Sequence, residues 1–185
     1  MTSLLGFSLL APGTAGSAEP PAGEAAPEET DGVIVGPATR ERIESTHPSW
    51  VQSSVSTEID TEAARALASV EPGAEVLVFL GTWCGDSERE VPRLWRALDE
   101  TGGSVPFTIQ YVGVDREKKQ PSAPITNYDV QFVPTFIVSR AGREVGRIVE
   151  HAPHGLERDL LALLTGKAQG TLSASQTGEP GPPSR

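Results

Sequence analysis

The feature that most constrains this chain is a transition from strand to helix that carries its single cysteine. Residues 76–80 form an unbroken apolar run, which is typical of a buried β-strand. Gly81 and Thr82 end the run, and an apolar stripe of helical spacing follows at Val91, Leu94, Trp95 and Leu98. Cys84 is therefore predicted to lie at a helix N-terminus. Unpaired backbone N–H groups and the helix dipole favour an anion there, and the thiolate is the anion that a cysteine offers.

Three motifs lie on this framework. Trp83-Cys84-Gly85-Asp86-Ser87 resembles the W-C-G-x-C active-site motif of the thioredoxin family with serine in place of the second cysteine, as in one branch of thioredoxin-like proteins. Pro92, eight residues after Cys84, matches the proline that kinks the active-site helix in that family. Val133-Pro134-Thr135 resembles the loop in which a cis-proline faces the cysteine. The resemblance covers residues 39–166.

The order of predicted elements agrees with the fold that this resemblance implies. Helices are predicted at 39–46, after Asp60, after Cys84, at 125–130 as a single turn, and at 154–164. Strands are predicted at 50–56, 76–80, 105–114, 135–138 and 144–149, the last two as a hairpin. Strands separated by helices imply parallel pairing, and the hairpin adds antiparallel strands. The expected fold class is α/β: a thioredoxin fold, with a mixed central sheet and helices on both faces.

Length and composition predict one domain with disordered termini. The chain has 185 residues, and many of its 19 Gly and 16 Pro lie near the termini. We expect residues 1–38 to be disordered, 39–166 to form the thioredoxin-like domain, and 167–185 to be a disordered tail. An apolar run at 4–10 is similar to part of a signal peptide, but no Lys or Arg precedes it, so cytoplasmic location and export both stay open. The run is far shorter than the roughly 20 residues of a membrane span.

Charge and cysteine count exclude several classes of function. The formal net charge is −10, and nucleic-acid binding requires a basic surface that such a chain lacks. One cysteine excludes both an intramolecular disulfide and a four-cysteine metal site, and His151 and His154 lack a third ligand. We therefore expect no metal and no cofactor. We expect the chain to be a monomer. Its expected partners are protein or low-molecular-weight thiols and disulfides.

Cys84 and Ser87 are the candidate catalytic residues. A free cysteine is also often an inert, buried residue, and the charge of Asp86 favours the protonated thiol. Ser87 can donate a hydrogen bond to the Cys84 sulfur, but its hydroxyl is too weak a nucleophile to resolve a mixed disulfide. The family's buried acid, six residues before the cysteine, is replaced by Val78. Both parts of the usual resolving step are thus missing.

The candidate substrate-binding residues flank the thiol in two segments: Trp83, Gly85, Asp86, Val133 and Pro134. Trp83 either offers a flat contact surface or simply packs against the domain. By resemblance to the family, the residue before the cis-proline offers backbone groups to a bound peptide.

Three hypotheses for the function follow. In the first, a monothiol thioredoxin-like protein forms mixed disulfides through Cys84. In the second, a redox-silent thioredoxin-fold module binds peptides or a protein beside Pro134. In the third, two copies hold an iron–sulfur cluster with glutathione, as some monothiol glutaredoxins with a C-G-x-S motif do; Trp83 fits that group poorly.

Overall fold

The computed structural model describes residues 28–30 and 32–174. Its strands are β1 (Glu28–Thr30), β2 (Val33–Ala38), β3 (Ala74–Leu80), β4 (Phe107–Gly113), β5 (Thr135–Arg140), β6 (Arg143–Val149) and β7 (Gly170–Leu172). Its helices are α1 (Arg40–Thr46), α2 (Pro48–Ser56), α3 (Thr61–Ala66), α4 (Gly85–Asp99), α5 (Ser122–Asn127) and α6 (Leu156–Leu164). Within the described residues, none of the helices is long and apolar enough to cross a membrane.

The strands form one mixed sheet in the order β1-β2-β4-β3-β5-β6-β7. At its centre β3 pairs parallel with β4 and antiparallel with β5, so that Val78 lies between Tyr111 and Phe136. Strands β5 and β6 form the predicted hairpin, closed by Ala141 and Gly142, which both have a positive φ. The predicted α/β class with a mixed sheet is confirmed.

The core lies on both sides of the sheet because successive side chains of a strand point to opposite faces. Val78 belongs to the larger cluster, which also contains Leu94 of α4 and Leu160 of α6. Phe79, the next residue, belongs to a smaller cluster with Ile125 of α5. Helices therefore cover both faces, and β3 is buried between them.

The strand predicted at 50–56 is wrong, because this segment is helix α2. Pro48 occupies the first turn, where its missing N–H and fixed φ suit a helix. Trp50 and Ser54, four residues apart, are the buried residues of this helix, and the Trp50 ring lies 5.9 Å from the ring of Trp95. A single tryptophan thus provides most of the apolar face, which is too little for the sequence pattern to reveal.

Three strands, β1, β2 and β7, lie in segments that the sequence predicts to be disordered. Strand β2 pairs antiparallel with β4, and β7 pairs parallel with β6. Glycine permits both approaches: a Cβ on Gly113 would lie 2.2 Å from the Ile34 oxygen, and one on Gly146 would lie 2.4 Å from the Gly170 oxygen. The folded unit therefore extends beyond 39–166 at both ends. The apolar run at 4–10 lies outside the described residues.

Strand β2 is also tied to the residues that follow β3. The Thr82 hydroxyl accepts a hydrogen bond from the Ile34 N–H at 3.2 Å and donates one to the Gly32 carbonyl at 3.4 Å. Thr82 is buried and lies two residues before Cys84. The N-terminal strand therefore supports the turn that carries the cysteine.

Candidate active site

Cys84 lies where β3 gives way to α4, as the sequence predicts. It is the N-cap residue of α4, with extended backbone angles, and its side chain makes no capping hydrogen bond. Its backbone N–H donates to the Gly81 carbonyl at 2.9 Å, and its own carbonyl accepts from the Glu88 N–H at 3.0 Å. The side chain is half-buried. The turn is therefore fixed by backbone bonds, and the thiol is left accessible.

The Cys84 thiol donates a hydrogen bond to the Val133 carbonyl oxygen, with 3.3 Å between sulfur and oxygen. The Val133–Pro134 peptide bond is cis. The Pro134 carbonyl accepts from the Glu150 N–H at 2.8 Å, which ties this loop to the end of β6. Cys84, Val133 and Pro134 thus meet in one place, although 49 residues separate the cysteine from Val133.

Two features of the fold meet at the Cys84 sulfur. One is the Val133 carbonyl, which accepts the S–H hydrogen bond. The other is the N-terminus of α4, a helix fifteen residues long that begins directly after Cys84.

Ser87 is fully buried, and its hydroxyl oxygen accepts a hydrogen bond from the Gly81 N–H at 3.2 Å. The sequence predicts a hydrogen bond from Ser87 to the Cys84 sulfur, and the contacts of the described residues do not include it. An N–H just beyond the end of a buried strand needs an acceptor, and Ser87 supplies one. Ser87 therefore holds the end of β3 against the first turn of α4.

Trp83 is half-buried and packs beside Cys84 against the smaller core cluster. Its indole N–H donates to the Val114 carbonyl at 3.0 Å, which fixes the plane of the ring. A Cβ on Gly81 would lie 2.7 Å from this ring, so only glycine fits beneath it. The exposed part of the ring thus forms a rigid surface beside the thiol.

Asp86 belongs to a charged cluster on the first turns of α4. Arg89 lies 3.1 Å from a carboxylate oxygen of Asp86 and 3.1 Å from one of Glu90. Arg89 also contacts the ring of His151, whose Nε2 lies 3.6 Å from Asp86. The guanidinium thus offsets the charge that the sequence alone assigns to Asp86. Sequence reasoning missed His151 because 65 residues separate it from Asp86.

Gly85 is the exposed first residue of α4, and a Cβ built there would meet nothing within 4 Å. The surface in front of the helix terminus is therefore open. Among residues 28–30 and 32–174, no group of three or more His, Cys, Asp or Glu side chains is placed to hold a metal ion.

A buried ion pair anchors α4 behind the site. Two nitrogens of Arg93 each lie 2.8 Å from a carboxylate oxygen of Glu157, and the Asp60 N–H donates to Glu157 at 2.7 Å. Glu157 is 1% exposed. Burial raises the pKa of Glu157, but the bonds from Arg93 and from the Asp60 N–H outweigh it and lower the pKa below its ordinary value. Glu157 of α6 therefore joins Arg93 of α4 to Asp60, the residue that caps α3.

Comparisons with known proteins agree with this arrangement. No protein-family model matches the chain. A thioredoxin-like protein of Synechocystis sp. is 30% identical over 77 residues, which are 42% of this chain and 68% of that relative. The chain belongs to the thioredoxin-like family. A thioredoxin-like protein of Acanthamoeba polyphaga mimivirus is 26% identical over 96 residues, 52% of this chain and 66% of that relative.

Solved thioredoxin structures are also similar to this thioredoxin-like chain. Thioredoxin from Fasciola hepatica is 24% identical, covers 52% of this chain and 82% of its own, and has a TM-score of 0.35. The predicted thioredoxin fold is supported by the family membership and by the mixed sheet with helices on both faces, in which Cys84 lies between the central strand β3 and helix α4.

Proposed function

We propose that this thioredoxin-like protein takes part in thiol–disulfide exchange through Cys84 and that it works with a single thiol. The observation that carries the proposal is the position of the sulfur. It is half-buried at the N-terminus of α4 and lies 3.3 Å from the Val133 carbonyl beside Pro134. An inert core cysteine is typically fully buried, whereas Cys84 is half-buried and faces an open helix terminus.

The exchange step is a substitution at sulfur. The Cys84 thiolate attacks one sulfur of a partner disulfide, the partner's S–S bond breaks, and the other half leaves as a thiolate. A mixed disulfide with Cys84 remains. No further oxidant or reductant is needed, because one disulfide is exchanged for another.

The mixed disulfide must then be resolved by a thiol from outside the chain. Ser87 stands where two-cysteine thioredoxins have their resolving cysteine, and its hydroxyl is both a weak nucleophile and engaged with Gly81. Val78, in the position of the family's buried acid, is apolar and fully buried. Both substitutions favour a long-lived adduct.

The Val133 carbonyl has a second role in this proposal. An extended peptide beside Val133 offers backbone N–H groups that compete for the carbonyl oxygen. A peptide bound to this carbonyl lies beside the Cys84 sulfur, which is the position that attack on a disulfide of the peptide requires. Phe132, 50% exposed, offers an apolar contact at the same loop.

The test is the fate of an adduct on Cys84. The reduced full-length chain is mixed with excess bis(2-hydroxyethyl) disulfide, freed of reagent, and followed by mass spectrometry, with Cys84→Ser as the control. We expect one adduct per chain that persists until an external thiol is added. An adduct that forms only after denaturation would instead support the redox-silent binding module.

A further inference from the structure

The segment between β4 and α5 places two cations over the ring of Trp83. The Arg116 guanidinium carbon and the Lys118 ammonium nitrogen each lie 5.9 Å from the ring centroid, within the range of cation–π attraction. Within the described part of the chain neither side chain forms an ion pair. The two positive charges therefore lie close to Cys84, because Trp83 is the residue directly before it.

Hydrogen bonds between Asp115 and the backbone of residues 119 and 120 close this loop. The Asp115 carboxylate accepts hydrogen bonds from the N–H groups of Lys119 at 2.6 Å and Gln120 at 2.9 Å. The Asp115 N–H in turn donates to the Gln120 carbonyl at 3.1 Å. The two cations are thus carried by a closed loop and not by a free segment.

The nearby carboxylates do not cancel these charges. Asp86 is paired with Arg89 at 3.1 Å. The loop itself carries three cations, Arg116, Lys118 and Lys119, against two carboxylates, Asp115 and Glu117, so its net charge is +1. The face beside Trp83 is therefore locally positive on a chain whose net charge is −10.

We propose that Arg116 and Lys118 select a low-molecular-weight thiol or disulfide that carries carboxylates as the exchange partner of Cys84; this rests on the proposed function. A compact anion fits two cations gathered over one ring. An acidic protein would instead meet the acidic remainder of the surface. Salt screens charges beyond about 8–10 Å, so a small partner is governed mainly by the local pair.

In the exchange, the Cys84 thiolate attacks a sulfur of the anionic disulfide while a carboxylate lies against Arg116 and Lys118. The S–S bond of the small molecule breaks, half of it stays on Cys84, and the other half leaves as a thiolate. A thiolate of a partner protein then attacks the small-molecule sulfur of the adduct, which restores the Cys84 thiolate and leaves the small molecule joined to the partner as a mixed disulfide.

The experiment compares three disulfides of similar size in reaction with the reduced full-length chain. Dithiodipropionate carries two carboxylates, bis(2-hydroxyethyl) disulfide is neutral, and cystamine carries two ammonium groups. The readout is the ratio of the anionic to the neutral rate of adduct formation. This ratio cancels any general change in the reactivity of Cys84.

We expect Arg116→Gln combined with Lys118→Gln to lower this ratio on the order of fivefold at low salt, by simple Coulomb attraction in water. The exchanged pair Arg116→Lys with Lys118→Arg should retain it. The matched control is Arg143→Gln with Lys167→Gln, which changes the net charge equally. Both control residues are exposed. They lie at the opposite end of the sheet, where Arg140 pairs with Ala74 and Arg143 and donates to the Leu164 carbonyl, three residues before Lys167.

Three outcomes decide the matter. A fall in the ratio in the first double variant alone, with the cystamine-to-neutral ratio rising, supports the proposal. An unchanged ratio, or an equal fall in the control, overturns it and leaves the exchange function standing. Failure of all three disulfides to react with the folded chain would overturn the exchange function itself.

Discussion

The thiol of Cys84 donates a hydrogen bond to the carbonyl oxygen of Val133, 3.3 Å away. The chain has one cysteine, so the S–H stretching band in its infrared spectrum belongs to this bond alone. We expect the band to lie at lower frequency in the folded protein than in urea, because hydrogen bonding weakens the S–H bond. It should be absent in Cys84→Ser. A band at the same frequency in both states would show that the thiol does not contact Val133.

Ser87→Cys should convert the protein to two-cysteine chemistry. Residues three apart on a helix have Cβ atoms about 5–6 Å apart, and a modest adjustment brings two sulfurs together. We expect the oxidised variant to form an intramolecular disulfide and its mixed disulfides to resolve without an external thiol. Mass measurement after alkylation follows both. Because the Ser87 hydroxyl binds the Gly81 N–H, Ser87→Ala is the matched control for loss of that bond. Persistent adducts in Ser87→Cys would contradict the assignment of Ser87.

Acid should weaken the fold through Glu157. Its pKa is lowered in the folded state, so its contribution to the unfolding free energy is present above the ordinary carboxyl pKa of about 4.3. The contribution is lost as the pH falls through the lower, folded-state value. Urea unfolding between pH 7 and pH 3 should therefore show a loss of stability that is smaller in Glu157→Gln.

At pH 7 the same substitution should cost about 3 kcal/mol, because it leaves Arg93 partly buried without a charged partner. The control is Glu100→Gln, which breaks pairs with two more exposed arginines, Arg65 and Arg96, and should cost less than about 1 kcal/mol. Equal costs for the two variants would mean that the Arg93–Glu157 pair does not anchor α4.

Gly113→Ala should displace β2 from the sheet, because the new Cβ would lie 2.2 Å from the Ile34 backbone oxygen. We expect a loss of at least about 2 kcal/mol in unfolding free energy, as for other strained core substitutions, with faster amide exchange along β2. Gly85→Ala, where a Cβ meets nothing within 4 Å, should be neutral or stabilise α4 by up to about 1 kcal/mol. Equal effects at the two sites would contradict the predicted displacement of β2.

The sequence predicts the centre of this fold better than its edges. The run at 76–80 and the apolar stripe of α4 are strong periodic signals, and they correctly locate Cys84 between strand and helix. The Asp60 cap is also confirmed, since its carboxylate accepts the Ala63 N–H at 3.0 Å. These features depend on neighbours within one or two turns of the chain.

The missed features depend on contacts between distant segments. Strand β2 can approach β4 only because residue 113 is glycine, and β7 can approach β6 only because residue 146 is glycine. Neither glycine looks unusual in the sequence. The partner of the Ser87 hydroxyl and the approach of His151 to Arg89 likewise appear only when the chain is folded. The motif therefore predicts the residues of the candidate site but not the atoms that their side chains bind.

The bonds of Thr82 to Gly32 and Ile34 bear on where this protein can be shortened. A chain that begins at residue 39, the start suggested by the sequence pattern, keeps every residue of the motif. It nevertheless loses β2, which both holds the turn before Cys84 and pairs with β4. Such a fragment would contain the active-site motif without the support that sets its geometry, so its reactivity would not represent that of the whole protein.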